Sequence, residues 1–193
     1  MKKNVEEFVR LAVQGFATRD ERLRGQAILD ALSGDEKKQA FESEVFLSFA
    51  GATNLVADPL THSNGERGQP DICTEINDSE YYFELGEITD EGFAQHIANS
   101  LKTKEVSVCA LSQEEPLARM LEQKCRKKYE TNGSPVDLLL YYRRQHPYLP
   151  AIEQYFAGNS SVIESWLMNS QFKSIWIYGM NSKKVLWRAR RQE

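Results

Sequence analysis

Hydrophobic residues recur at helical spacing through the first fifty residues. Apolar positions between Phe8 and Phe16 fall three and four residues apart, which is the repeat of one helix face. A second apolar series ends at Ser33-Gly34, and Asp35 is predicted to cap a third helix that continues to about Ala50. The chain is therefore predicted to begin with three amphipathic helices.

The apolar pattern changes from helical to extended after residue 50. Thr53–Val56 is predicted as a short strand, and residues 58–70 contain two Pro and two Gly and are predicted as a loop. Residues 71–76 and 80–88 are rich in β-branched and aromatic side chains, which favours two strands. Asn77-Asp78 between them is typical of a hairpin turn.

The second half of the chain alternates helical and extended patterns. Helices are predicted over residues 91–104, 116–130, 150–156 and 162–168, and strands over 136–142, 172–178 and 183–187. Residues 106–111 suit a strand or a continuation of the preceding helix. This order predicts a single α/β domain over residues 1–193 with a mixed central sheet, and residues 1–34 as an N-terminal helical elaboration.

Two acidic residues are predicted to face each other on the hairpin. With a two-residue loop at Asn77-Asp78, Asp71 lies opposite Glu84 and their Cβ atoms are roughly 4.5–5.5 Å apart. A loop one residue longer would put them on opposite faces. The same register places Glu75 opposite Glu80, an unfavourable pairing of like charges.

Converging carboxylates have three common uses. They can hold a divalent cation such as Mg²⁺, they can share acid and base roles in hydrolysis, or they can both be solvated surface groups. Spacing alone leaves all three open.

The residues around these acids form a recognisable motif. Gly68-Gln69-Pro70-Asp71, followed thirteen residues later by Glu84-Leu85-Gly86, resembles the PD-(D/E)xK nuclease superfamily, whose fold is called restriction-endonuclease-like. The core order of that superfamily is helix, three strands, helix, strand, and the pattern from about residue 35 to 142 is similar. The resemblance implies a nuclease-like core over residues 35–193 and Mg²⁺- or Mn²⁺-dependent hydrolysis of nucleic acid phosphodiesters.

The resemblance also assigns site residues. It implies that Asp71 and Glu84 are catalytic metal ligands and that Glu44 is the helical glutamate that many members add to the site. It implies that Gln95, on the helix after the third strand, supports them. Three acids without a nearby cation would repel a polyanion, so metal is expected to be needed for binding as well as for chemistry.

One position departs from the superfamily pattern. The lysine expected two residues after Glu84 is Gly86, which cannot hold a water or offset charge. Lys102 is the predicted replacement, with Lys104 as the other lysine of the same helix. Two further interpretations are that Glu87 acts instead, although strand alternation points it away, or that the site is degenerate.

Charge is unevenly distributed along the chain. The net charge is −4, but residues 1–115 carry 11 basic and 22 acidic side chains, and residues 116–193 carry 13 basic and 6 acidic ones. A basic face for phosphate contact is one interpretation, and solvated helix and strand ends are the other. The predicted nucleic-acid-binding residues are Lys124, Arg126, Lys127, Lys128, Arg188, Arg190 and Arg191.

The remaining features narrow the class of protein. No window approaches the roughly 18 apolar residues of a membrane span, and three widely spaced cysteines are typical of reduced cytoplasmic thiols. We therefore expect a cytoplasmic protein without a membrane partner. The alternative function is a non-catalytic protein-binding module, an immunity or regulatory partner on the same scaffold. Restriction-like enzymes often pair subunits, which leaves a homodimer open.

Overall fold

The fold is described by a computed structural model over residues 3–57, 60–62, 68–88, 114–143 and 156–191, with the side chains of 114–119 excepted. The helices are α1 (Lys3–Gln14), α2 (Arg19–Ala31), α3 (Gly34–Thr53), α4 (Glu114–Arg126) and α5 (Ser160–Met168). The strands are β1 (Thr61–His62), β2 (Ile72–Ile76), β3 (Ser79–Glu87), β4 (Val136–Tyr142), β5 (Phe172–Gly179) and β6 (Lys184–Arg190).

The N-cap residue of α3 lies two residues before the predicted one. Ser33 is the N-cap residue: its hydroxyl accepts a hydrogen bond from the backbone N–H of Glu36, and the Glu36 carboxylate accepts the Ser33 N–H. Asp35 lies in the first turn instead. The reciprocal pair satisfies two unpaired backbone donors at once, which explains why Ser33 prevails over Asp35.

The strand predicted over Thr53–Val56 is wrong. Helix α3 continues to Thr53 and ends where Asn54 takes the left-handed conformation, with φ at 54°. The Thr53 hydroxyl donates to the carbonyl of Phe49, 2.9 Å away, so this β-branched residue satisfies a helix carbonyl. The first strand is instead β1, within the segment predicted as a loop.

The strands form one mixed, open sheet in the order β1-β2-β3-β4-β5-β6. The pairs β3-β4 and β4-β5 are parallel, and the other neighbouring pairs are antiparallel. The strand predicted over residues 136–142 is confirmed as β4, and every residue of β4 is buried, so it is covered on both faces. The predicted α/β class with a mixed central sheet is therefore confirmed.

Helices cover both faces of the sheet. On one face, Phe46 and Phe49 of α3 pack against Phe83 of β3. On the other face, α4 and α5 contribute apolar side chains such as Leu121 to the core around the centre of β4. Helices α1 and α2 pack on the outside of α3 through a third apolar cluster, so the N-terminal region is an added layer.

The β2-β3 hairpin has the predicted register. Asn77 and Asp78 have φ of 52° and 60°, as the two central residues of a type I′ turn require. Ile76 then pairs with Ser79 and Ile72 with Phe83. Continuing this register by one residue brings Asp71 opposite Glu84, at the point where β2 begins.

The predicted like-charge pair is also present, because Glu75 pairs directly with Glu80. Replacing Glu75 by threonine is expected to raise the free energy of unfolding by about 0.5 kcal/mol, since it removes a cross-strand repulsion and introduces a strand former. Urea denaturation of both proteins measures this difference. A loss of stability would contradict the expectation.

Several predicted elements lie outside the described residues. These include the helix over 91–104 and the segment 106–111, and with them Gln95, Lys102 and Lys104. Helix α4 ends at Arg126, four residues before its predicted end. Within the described part of the chain, no helix combines the length and the hydrophobicity needed to cross a bilayer.

Candidate active site

Asp71 is fixed at a bend that immediately precedes β2. Its Oδ2 accepts a hydrogen bond of 2.9 Å from the backbone N–H of Leu85, the residue after Glu84. Its Oδ1 lies 3.4 Å from Nζ of Lys38 on α3. Burial lowers the pKa of Lys38, but the charges of Glu42 and Asp71 outweigh burial and raise it. Asp71 is thus bonded to the backbone of β3 and paired with an exposed lysine.

Glu84 is a buried carboxylate, with 1% of its surface exposed. Its Oε1 accepts hydrogen bonds from Lys124 Nζ at 2.5 Å and Lys127 Nζ at 3.1 Å. Both lysines come from the end of α4 and the residues directly after it. An isolated buried carboxylate would be very costly, and this double pairing offsets the cost of burying Glu84.

The second oxygen of Glu84 and the hydroxyl of Tyr129 are two further buried polar atoms of this region. Neither Glu84 Oε2 nor the hydroxyl of Tyr129 has a hydrogen-bond partner of ordinary geometry, although both atoms are buried. Burial raises the pKa of Tyr129, and the charges of Glu84 and Asp71 raise it further. The raised pKa keeps the Tyr129 hydroxyl protonated. Tyr129 is not among the site residues predicted from the sequence.

The side chain of Lys124 passes next to Gly86. A Cβ atom at Gly86 would lie 3.8 Å from Cε of Lys124 and 2.7 Å from Cδ2 of Leu140. The Lys124 ammonium also donates to the carbonyl of Leu85 at 2.8 Å. The ammonium group beside Glu84 therefore comes from α4, and it reaches the sheet next to the residue that lacks a side chain.

Glu44, the predicted helical acid, lies elsewhere. It lines a cavity with Arg143, where burial raises its pKa and the guanidinium opposes the shift. The acid of α3 connected to Asp71 is Glu42, whose Oε1 is 3.3 Å from Lys38 Nζ. Two residues correspond to about 200° around a helix axis, so Glu42 and Glu44 point to opposite sides of α3.

The basic run at the end of α4 divides into two pairs. Lys124 and Lys127 contact Glu84, whereas Arg126 pairs with Glu122 on the exposed helix surface and Lys128 is exposed. With Lys38, three ammonium groups lie beside Asp71 and Glu84, and Glu42, which also pairs with Lys38, balances the third of them. The expectation that the acids have no nearby cation is therefore wrong.

The C-terminal arginines lie away from the acids. Strand β6 is separated from β3 by β4 and β5. Arg188 stacks on Trp176, 3.8 Å from the ring centre, on the sheet face covered by α3, and Arg190 is two residues further along the same face. Arg191 donates to the carbonyls of Leu167 and Ser170 after α5. These positions do not form a rim around Glu84, which faces α4.

The donor set can be compared with the needs of a metal ion. No group of three or more His, Cys, Asp or Glu arranged to hold a metal occurs among residues 3–57, 60–62, 68–88, 114–143 and 156–191. Mg²⁺ is often held by only one or two carboxylates and keeps several waters. The carboxylate oxygens available for such a role are Glu84 Oε2, which has no hydrogen bond of ordinary geometry, and Asp71 Oδ1, which lies 3.4 Å from Lys38 Nζ.

Comparison with known proteins adds no assignment. The chain matches no known protein family, no curated protein and no solved structure. The resemblance to the PD-(D/E)xK superfamily therefore remains a prediction, supported by the residues of this chain alone.

Proposed function

We propose that this chain is a metal-dependent nuclease of the PD-(D/E)xK type whose lysine has moved to α4. The proposal depends on one observation: the Lys124 ammonium lies 2.5 Å from Glu84 Oε1, and its stem passes the position where a side chain at Gly86 would begin. Asp71, Glu84 and Lys124 together supply the two acids and the amine that the motif requires. Lys124 takes the role that the sequence suggested for Lys102.

The residues of the chain divide the chemistry among them. Asp71 and Glu84 would hold Mg²⁺ or Mn²⁺, which when bound polarises a phosphate and lowers the pKa of a water. Lys124 has three N–H donors. Two of them donate to Glu84 and to the Leu85 carbonyl, so the third is available to a reacting oxygen. The Tyr129 hydroxyl, kept protonated by its raised pKa, is a further donor beside the acids.

Charge around the site supports a polyanionic substrate. Lys127 is largely exposed, contacts Glu84 and lies 4.7 Å from the Tyr129 ring centre. Lys38 approaches from the α3 side and is also exposed. Lysines at the edge of a site contact phosphates irrespective of base sequence, so binding is expected to weaken steeply as salt is raised. We infer a nucleic acid backbone as the substrate.

Metal binding gives the most direct test. Mn²⁺ and Mg²⁺ at millimolar concentration are expected to raise the melting temperature of the wild-type chain, since an ion that binds only the folded state stabilises it. Asp71→Ala is expected to weaken the apparent metal affinity at least tenfold. Differential scanning fluorimetry measures both, and cleavage of plasmid and single-stranded DNA with and without EDTA measures activity.

Glu75→Thr serves as the matched control, because Glu75 lies on β2, four residues after Asp71, but is exposed and pairs with Glu80 rather than Glu84. It should bind metal and cleave as the wild type does. No metal-dependent stabilisation of the wild-type chain, or equal losses in Asp71→Ala and Glu75→Thr, would contradict the proposal.

The non-catalytic protein-binding module remains the second candidate because of one feature. Glu84 Oε1 already accepts two ammonium groups, so the ion pair can satisfy the buried carboxylate without any metal. On this alternative, the wild-type chain neither binds metal nor cleaves DNA or RNA. The fluorimetry experiment therefore separates the two functions.

A further inference from the structure

The cavity that contains Glu44 and Arg143 lies between the N-terminal helices and the end of the sheet. Its volume is about 580 Å³, within the range of small-molecule sites, and it is enclosed by α1, α2, α3 and the turn after β5. The rings of Phe8, Phe16 and Phe41 line it. Gly15, at the turn between α1 and α2, has φ of 79° and open space around it, so no side chain fills that wall.

The charged residues of this cavity are mostly basic. Arg22, Arg143 and Lys183 line it, and Glu44 is the single acid among the lining residues described by the structure. Arg143 comes directly after β4 and stacks on Phe41, with its guanidinium carbon 4.3 Å from the ring centre. This contact fixes a cation at the aromatic wall.

Arg143 keeps part of its charge accessible. Its side chain is 27% exposed and lines the cavity, and its contact with Glu87, which does not line the cavity, is long, with Nε 3.9 Å from Glu87 Oε2. A guanidinium that is only loosely paired can still accept an anionic oxygen from a ligand. Arg22 makes one long contact of 3.4 Å to the carbonyl of Phe16, and Lys183 is exposed at the rim.

We propose that this cavity binds a small organic anion with an apolar body. The anionic group would pair with Arg143 and Lys183, and the apolar part would lie against the phenylalanine rings. Neither Asp71 nor Glu84 lines the cavity, so the inference is independent of the proposed nuclease site.

Four probes identify the chemistry by isothermal titration calorimetry of the full chain. Octanoate carries both charge and apolar body, 1-octanol lacks the charge, and inorganic phosphate lacks the body. Adenosine 5′-monophosphate presents a phosphate on an aromatic body. Octanoate or the nucleotide is expected to bind at least tenfold more tightly than octanol and phosphate. Whichever of these two binds more tightly shows whether the site prefers an aliphatic or an aromatic ligand.

Substitutions locate the site. Arg143→Gln is expected to weaken binding about tenfold or more, and Lys183→Asn, whose new residue tolerates the observed φ of 50°, about threefold to tenfold. Lys184→Gln is the control, since Lys184 is also exposed but does not line the cavity. Lys183 lies on a surface turn, so its variant tests the inference even where Arg143→Gln unfolds the chain.

Three outcomes would overturn the inference. None of the four probes binds at millimolar concentration, octanol binds as tightly as octanoate and the nucleotide, or Lys184→Gln weakens binding as much as Lys183→Asn. Each of these would show that the cations of the cavity do not select an anion.

Discussion

Replacing Lys124 by methionine is expected to lower the rate of DNA cleavage about a hundredfold to a thousandfold, the range seen when one oriented donor is removed from a polar transition-state site. Methionine preserves the volume of the stem beside Gly86 but removes the ammonium. Glu84 keeps its second partner, Lys127, at 3.1 Å, so the buried carboxylate is not left without a cation. Single-turnover cleavage of a labelled duplex with excess Mn²⁺ measures the chemical step.

The neighbouring lysines provide graded controls for this variant. Lys127→Met is expected to weaken substrate binding and reduce its salt dependence, with roughly a tenfold loss of cleavage below saturation. Lys128→Met, on an exposed residue of the same basic run, should leave cleavage unchanged. Equal losses at Lys124 and Lys128 would indicate a diffuse electrostatic effect and would contradict a specific role for the Lys124 ammonium.

The hairpin could be predicted from sequence because its information is local. Asn77-Asp78 favours positive φ at two successive positions, and a two-residue loop puts Ile72, Phe83 and Leu85 together on a buried face, whereas a loop one residue longer would separate them. The register follows from these two facts, as the pairing of Ile72 with Phe83 confirms.

Lys124 could not be assigned to the site in the same way. It is 40 residues from Glu84, and its contact depends on how α4 docks on the sheet. One signal was present: Lys124 follows the buried Leu121 by three residues, so both lie on the same side of the helix. That spacing indicates an inward-facing lysine, but it does not identify the residue it meets.

Glu44, by contrast, is predicted to belong to the site but lies outside it. Glu44 follows Phe41 by three residues on α3, and both side chains line the cavity between the N-terminal helices and the end of the sheet. The superfamily resemblance then placed it beside Asp71. Helical periodicity cannot determine which side of α3 faces the start of β2, and the structure places Lys38 and Glu42 there.

Replacing Gly86 by alanine is expected to destabilise the chain by about 1–3 kcal/mol, the usual cost of overpacking a core. The new Cβ would lie 2.7 Å from Cδ2 of Leu140, which is fully buried in β4, so the Leu140 side chain must shift within the packed core. Urea denaturation of the wild type, Gly86→Ala, Leu140→Ala and the double variant measures the coupling. The double variant is expected to lose at least about 1 kcal/mol less than the sum of the single losses.

The same contact predicts how a lysine at the motif position would behave. Gly86→Lys in the Lys124→Met background should not recover cleavage, because its Cβ meets Leu140 before the ammonium reaches Glu84. Adding Leu140→Ala removes that steric clash. The triple variant is then expected to cleave at least tenfold faster than Lys124→Met alone. Such recovery would mean that a lysine at position 86 and a lysine at position 124 can each place an ammonium group beside Glu84. If the folded triple variant stayed as slow as Lys124→Met alone, Lys124 would not be the displaced lysine of the motif.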